Sequence, residues 1–248
     1  MLSQIPAELK LVIAGNHDLT LDPVYFRTHL DEEDDPEEHV QALEFMKGEL
    51  AKEAGVTYLE EGVHAFSLKN GAKFKVYASP YQPEFCGWAF AYERNQDRWN
   101  TQEQVKPGPF PVRSIAENPI PDFGKDGVDI IMTHGPPMGI LDLPFDGMSV
   151  GCENLLRAVS RARPRLHCFG HIHEGHGAKM ITWEEDKGVF GWEAIERQED
   201  EKNVYPEVSN HEVAFGRQTL MVNAAIMDLS YRPRNAPWLI DLDLPKGA

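Results

Sequence analysis

The residues best suited to chemistry lie in three short stretches, each at the end of an apolar run. Cys168-Phe169-Gly170-His171-Ile172-His173-Glu174 follows Leu166, Gly15-Asn16-His17-Asp18 follows LKLVIA, and Thr133-His134-Gly135-Pro136-Pro137 follows VDIIM. Apolar runs of this length read as buried strands, and Gly170 breaks the last of them. In extended backbone, positions i and i+2 project from one face, so His171 and His173 are expected to point into one site. Taken together, the imidazoles of His134, His171 and His173 and the amide oxygen of Asn16 form a mixed nitrogen and oxygen ligand set. That set suits Mn²⁺, Fe or Zn²⁺ better than a soft, thiophilic ion. His17, next to Asn16 on the opposite side of the backbone, is better placed as an acid or a transition-state hydrogen-bond donor. Asp18 is expected to orient that imidazole, as carboxylate partners of histidine commonly do. No carboxylate occupies an obvious position to offset the charge of two metal ions.

The elements that must position these groups are an alternation of strands and helices, hence an α/β fold. Residues 9–15 read as a strand covered on both faces. Pro36 starts a helix that the apolar spacing carries to Gly55, and a hairpin turning at Asn70-Gly71 occupies 56–79. The aromatic segment from Tyr81 to Trp99, which includes Trp88, reads as hydrophobic packing under a long loop rather than as a substrate wall. GCENLLRAVSRAR gives an amphipathic helix, RLHCF a strand, and TLMVNAA and LIDLDL two closing strands. The stretch 184–212 is acidic and poor in aliphatics and reads as an insertion or mobile loop. His176 reads as a loop histidine, and Gly15 and Gly170 as backbone relief beside the metal site.

At 248 residues the chain is long enough for one large domain, 1–248, with the acidic insertion near 184–212. A net charge of −16 argues against nucleic-acid binding through a broad basic surface. It leaves phosphate substrates open, because bound cations invert the local potential. No run approaches about 18 apolar residues, so no membrane span is expected. MLSQIPAELK lacks the basic and then apolar order of a signal peptide. The cysteines Cys86, Cys152 and Cys168 are few and far apart, which reads as reduced thiols in a cytoplasmic protein.

GNHD, THGPP and FGHIHEGHG, in this order and at wide spacing, resemble the calcineurin-like metallophosphoesterases. VIAGNH, VGCENLL and FGHIHEG sharpen the resemblance toward the MPPED-type, class III-like phosphodiesterases. The resemblance implies a four-layer α/β/β/α sandwich with the site at its strand ends. It implies two divalent ions, with Asn16, His134 and His171 on the second and His173 on the first. It also implies hydrolysis of a small phosphoester, cyclic nucleotides or small phosphodiesters among them, by metal-activated hydroxide, with His17 assisting the leaving group. The family's D-x-H and G-D-x-x-D strand ends do not occur upstream of GNHD, so the first strands of the sandwich are expected to be missing. That makes an impaired fragment, binding one metal or a phosphate or nucleotide without turnover, the alternative. It also leaves the strand at 9–15 with an unpaired edge, through which the chain is expected to self-associate.

Overall fold

Leu9, Leu11 and Ile13 lie on one face of an extended run, and its middle, Lys10–Val12, forms strand β1. In the computed structural model, which describes residues 2–32, 34–106, 111–184, 190–201 and 212–246, β1 pairs in parallel with strand β2 (Val56–Tyr58) alone among the described residues. The expectation of an interior strand covered on both faces is thereby corrected. Helix α1 (Pro23–His29) begins at Asp22, whose carboxylate accepts from the N–H groups of Val24 and Tyr25. The single helix expected from Pro36 to Gly55 is two, α2 (Glu38–Lys47) and α3 (Glu49–Glu53). Gly48 separates them in an extended conformation, φ −78° and ψ −166°, which lies outside the helical well. A side chain there would meet the Glu44 carbonyl oxygen at 2.4 Å.

Strands β3 (Gly62–Ser67) and β4 (Lys73–Ser79) form the expected hairpin. Its turn holds Gly71 at φ +88°, and the Asn70 side chain accepts from the Ala72 N–H. Strands β5 (Ile130–Thr133), β6 (Leu166–Phe169), β7 (Gly177–Trp183), β8 (Ile195–Glu201) and β9 (Gln218–Asn223) complete a seven-stranded sheet. Its order is β8-β7-β9-β6-β5-β4-β3. The four central strands β9, β6, β5 and β4 run parallel, and the flanking pairs are antiparallel.

Two more expectations need correction. Part of the acidic stretch, IERQEDE, is strand β8 at the edge of this sheet, where its polar side chains face water. Of the remainder, 185–189 and 202–211 lie outside the described residues. LIDLDL forms no strand. Beyond it, Pro245 accepts from the Lys73 N–H and Lys246 bridges to Ala72.

The sheet has two unlike faces. Helix α4 (Glu153–Ala162), capped at Cys152 by a thiol that accepts from Leu155 N–H, covers one of them. There Leu155, Leu156 and Val159 pack with Tyr77, Ile131, Phe169, Ile181 and Met221 in a closed core. On the other face, Leu9, Leu11 and Ile13 of the β1 layer pack on Phe74, Val76 and Ala78. Helix α2 lies outside that layer, with Leu43 and Met46 near Tyr58.

Candidate metal centre and its cleft

Asn16, His134 and His171 come from three separate strand ends and meet. His134 Nε2 lies 2.8 Å from Asn16 Oδ1 and 3.1 Å from His171 Nδ1. One imidazole nitrogen carries at most one proton, so hydrogen bonding alone would require a single N–H shared between the two approaches. Nitrogen and oxygen ligands at about 2.0–2.1 Å from one ion stand about 2.8–3.0 Å apart at octahedral angles and about 3.3–3.4 Å apart at tetrahedral ones. The two observed separations lie at or near the octahedral spacing. Burial lowers the pKa of His134 to about 3 and that of His171 to about 4, with the neighbouring imidazoles pushing the same way. Both rings are therefore neutral near pH 7, with lone pairs free to bind a cation. The donor set fits one divalent ion held by Asn16, His134 and His171. Among the described residues, no group of His, Cys, Asp and Glu alone forms a metal site; the amide of Asn16 would have to be the third donor.

Each donor is held by its own local structure. Asn16 is buried, and its carbonyl accepts from the Ala89 N–H. The ring of His134 lies against Gly15, where a Cβ would approach within 2.6 Å of it, so glycine is required there. Behind His134, Thr133 donates its hydroxyl proton to Gly135 O and therefore accepts from Nε2–H of the fully buried His167. His171 has φ +69°, an uncommon conformation for a residue with a side chain. That corrects the expectation of extended backbone: the chain turns at His171, and His173 opens a short 3₁₀ turn, His173–Gly175. Asn223, buried at the end of β9, clamps this turn by donating to Ile172 O at 2.8 Å and Leu141 O at 3.0 Å. Gly170, by contrast, has open space where a Cβ would sit, so backbone relief does not explain it.

His17 and His173 border a cleft of about 490 Å³ that is also lined by Asn16, His134 and His171. His173 lines it and meets Tyr231 edge to face, the ring centroids 5.6 Å apart. His17 is exposed and packs on Trp88 at 4.4 Å. Asp18 accepts from Gly15 N–H at 2.7 Å and so closes its own turn. Glu174, also on the cleft, accepts from Phe145 N–H. His176 sits in a loop near Trp238, its Nε2 3.1 Å from Ala236 O, as a loop histidine would.

Sequence reasoning missed the wall of this cleft. Trp99 is buried in the core as expected, but Trp88 lines the cleft together with Phe85, Phe145, Leu229 and Tyr231. The aromatic segment is anchored by Arg98, which makes a two-pronged ion pair with Glu61 and stacks over Tyr81 at 3.4 Å. A run of aromatics with an arginine inside it was the available signal. Asn223, a polar residue ending an apolar strand in the same manner as Asn16, was another.

No family model matches the chain. Metallophosphoesterase domain-containing protein 1 of Homo sapiens is 32% identical to it over 263 residues, covering 100% of this chain. The Mus musculus protein of the same name gives the same figures. UPF0046 protein T07D4.2 of Caenorhabditis elegans is 34% identical over 192 residues, covering 71% of this chain and 41% of its own length. The chain spans 59% of the length of the human and mouse proteins. Relatives of this name align along the whole chain, and three residues from its strand-end motifs meet as a cation-sized donor set; the chain belongs to a metallophosphoesterase-type family.

Proposed function

We propose that the chain is a metal-dependent phosphoester hydrolase acting on phosphodiesters, cyclic nucleotides or small diesters among them. The observation that carries this reading is the convergence of Asn16 Oδ1, His134 Nε2 and His171 Nδ1 within 2.8 and 3.1 Å at the floor of an open cleft. A divalent ion held there, Mn²⁺, Fe or Zn²⁺, supplies Lewis-acid activation of water and neutralises phosphoryl oxygens. The chain's own residues do the rest. Asn223 and the His167–Thr133 pair fix the loops that carry His171 and His134. His173, on the same cleft, is a further ligand or a phosphoryl contact. Exposed His17, braced by Trp88, delivers a proton from a ring nitrogen to the departing oxygen. The cysteines are free thiols, which supports the reducing, cytoplasmic setting read from the sequence. Among the described residues, no helix is long and apolar enough to cross a membrane.

A second reading, binding of one ion or of phosphate without turnover, is favoured by the neutrality of the donor set. Asp18, next to His17, and Glu174, on the cleft, both have carboxylates engaged with main-chain N–H groups. One experiment separates the two: load with Mn²⁺, dialyse, count ions per chain, and assay bis(p-nitrophenyl) phosphate. The hydrolase reading expects bound Mn²⁺ that His134→Ala and Asn16→Ala lose. It also expects turnover that His17→Ala lowers by about 10²–10⁴ with Mn²⁺ retained. Mn²⁺ held without release of nitrophenolate supports the second reading and overturns the first.

A further inference from the structure

Beside the cleft lies a second, more enclosed cavity of about 120 Å³. Its wall includes Gln82, Pro83, Phe85, Pro136, Val150 and His171. Phe85, Pro144, His171 and Ile172 border both spaces, so the cavity adjoins the cleft at the His171 imidazole. Its lining is mainly apolar. Arg94 also borders it, with its guanidinium donating to the carbonyls of Val150 at 2.9 Å and Gly151 at 3.3 Å. These bonds tie the 150–151 wall to the aromatic segment. Behind that wall, the buried carboxylate of Asp142 accepts from Gly139 N–H, Gly151 N–H and the Ser149 hydroxyl, so the loop that carries Val150 is braced from inside. Gln82, almost wholly buried, donates to Ala89 O at 2.8 Å and has no partner for its Oε1.

We propose that this recess is a subsite for a single planar aromatic ring carried on the group esterified to phosphorus. The assignment rests on the reading of the Asn16–His134–His171 cluster as the phosphoryl end of the site. Size sets the limit: an apolar cavity of about 150 Å³ takes up benzene, so about 120 Å³ holds one ring and excludes a fused pair. Position sets the orientation, because His171 borders the recess with the face that adjoins the cleft. A ring buried here leaves its phosphorus-linked oxygen at the histidines, while the second ester arm of a diester lies along the Trp88 and Tyr231 wall. Two unequal recesses meeting at one donor cluster suit a diester with one small aryl arm and one larger arm.

The test titrates the Mn²⁺-loaded full chain with methylphosphonate, phenylphosphonate and 1-naphthylphosphonate, none of which is hydrolysed. Phenylphosphonate is expected to bind on the order of tenfold more tightly than methylphosphonate, because the ring leaves water. The naphthyl compound is expected to gain nothing over methyl. Val150→Phe, which fills the recess, removes the phenyl advantage, and Phe85→Ala, which widens it, admits the naphthyl ring. Equal affinities for phenyl and methyl, or a phenyl gain that survives Val150→Phe, overturn the subsite. If no phosphonate binds, the phosphoryl reading has failed on its own account, and benzene alone then decides. Benzene should shift the Ile172 methyl resonances in the native chain and leave them unmoved in Val150→Phe; no shift in the native chain overturns the recess as a ring site.

Discussion

The two faces of the seven-stranded sheet differ in how they are closed. On the α4 face, Ile131 and Met221 are wholly buried and pack against Leu155, Leu156 and Val159. On the opposite face, Ile130 and Met132 of the same strand are only half-buried beneath the thin β1–β2 layer. A groove of about 350 Å³ lined by Ile13, Met132 and Cys168, and continuing to Asn16, His17 and His134, runs beside β1. The difference shows that stability and chemistry are drawn from different places. One face supplies the core, and the donor cluster stands on the border of the other, with His134 and His171 from the sheet and Asn16 from the thin layer. The site is therefore only as well defined as the seating of that layer. Two contacts hold it to the aromatic segment, Ala89 N–H to Asn16 O and Phe90 N–H to the carboxylate of Asp22.

Adjacent residues on β5 give the largest test of this comparison. Ile131→Ala should cost about 2–5 kcal/mol in denaturant unfolding, because it leaves a cavity in a closed core. Ile130→Ala, on the open face, should cost less than half of that. Equal losses would mean that the faces are energetically alike.

Acid comes next. His134, His171 and His167 have folded-state pKa values lowered by burial to about 3, about 4 and about 3. The unfolded chain titrates them near 6.5, so below that pH it binds protons that the folded chain does not. Stability is full above about 6.5 and falls as the pH drops toward 4 and 3, which a series of thermal melts on metal-free protein would register. A flat profile between pH 7 and 4 would show that these rings are reached by water.

The smallest effect concerns the open face itself. We propose that the groove and the edge of β1 that is unpaired among the described residues bring copies of the chain together. Sedimentation velocity should show mass rising with concentration, and Met132→Lys should shift it toward monomer by roughly the 1 kcal/mol of one apolar contact. A monomer at every concentration would show that the face is self-sufficient.

Much of this was legible in the sequence because local pattern decides it. The amphipathic period fixes α4, apolar runs mark β5, β6 and β9, and Asn70-Gly71 sets the hairpin. What escaped was decided by partners distant in sequence. VTYLEEG alternates like a hairpin strand, yet Val56–Tyr58 pairs with Lys10–Val12, far back in the chain. IERQEDE has the composition of a loop, but an edge strand exposed to water tolerates charge. LIDLDL has strand periodicity and finds no strand to pair with. At the site, the strand-end motifs made the meeting of Asn16, His134 and His171 legible, and they placed His17 and His173 on the same cleft. The left-handed turn at His171, the Asn223 clamp and the Trp88 wall were not, because each depends on what packs around it.

The separation of the donors along the chain also has a consequence in time. Asn16 and His134 touch across 118 residues, and His134 and His171 across 37. Local elements such as α4 and the β3–β4 hairpin form without either closure, whereas the donor set exists only when both loops have been shut at their entropic cost. On the proposed reading, cation binding would therefore be acquired at the end of folding. The nascent or partly unfolded chain would hold metal poorly, and a bound ion would act as a latch that slows reopening of the two layers.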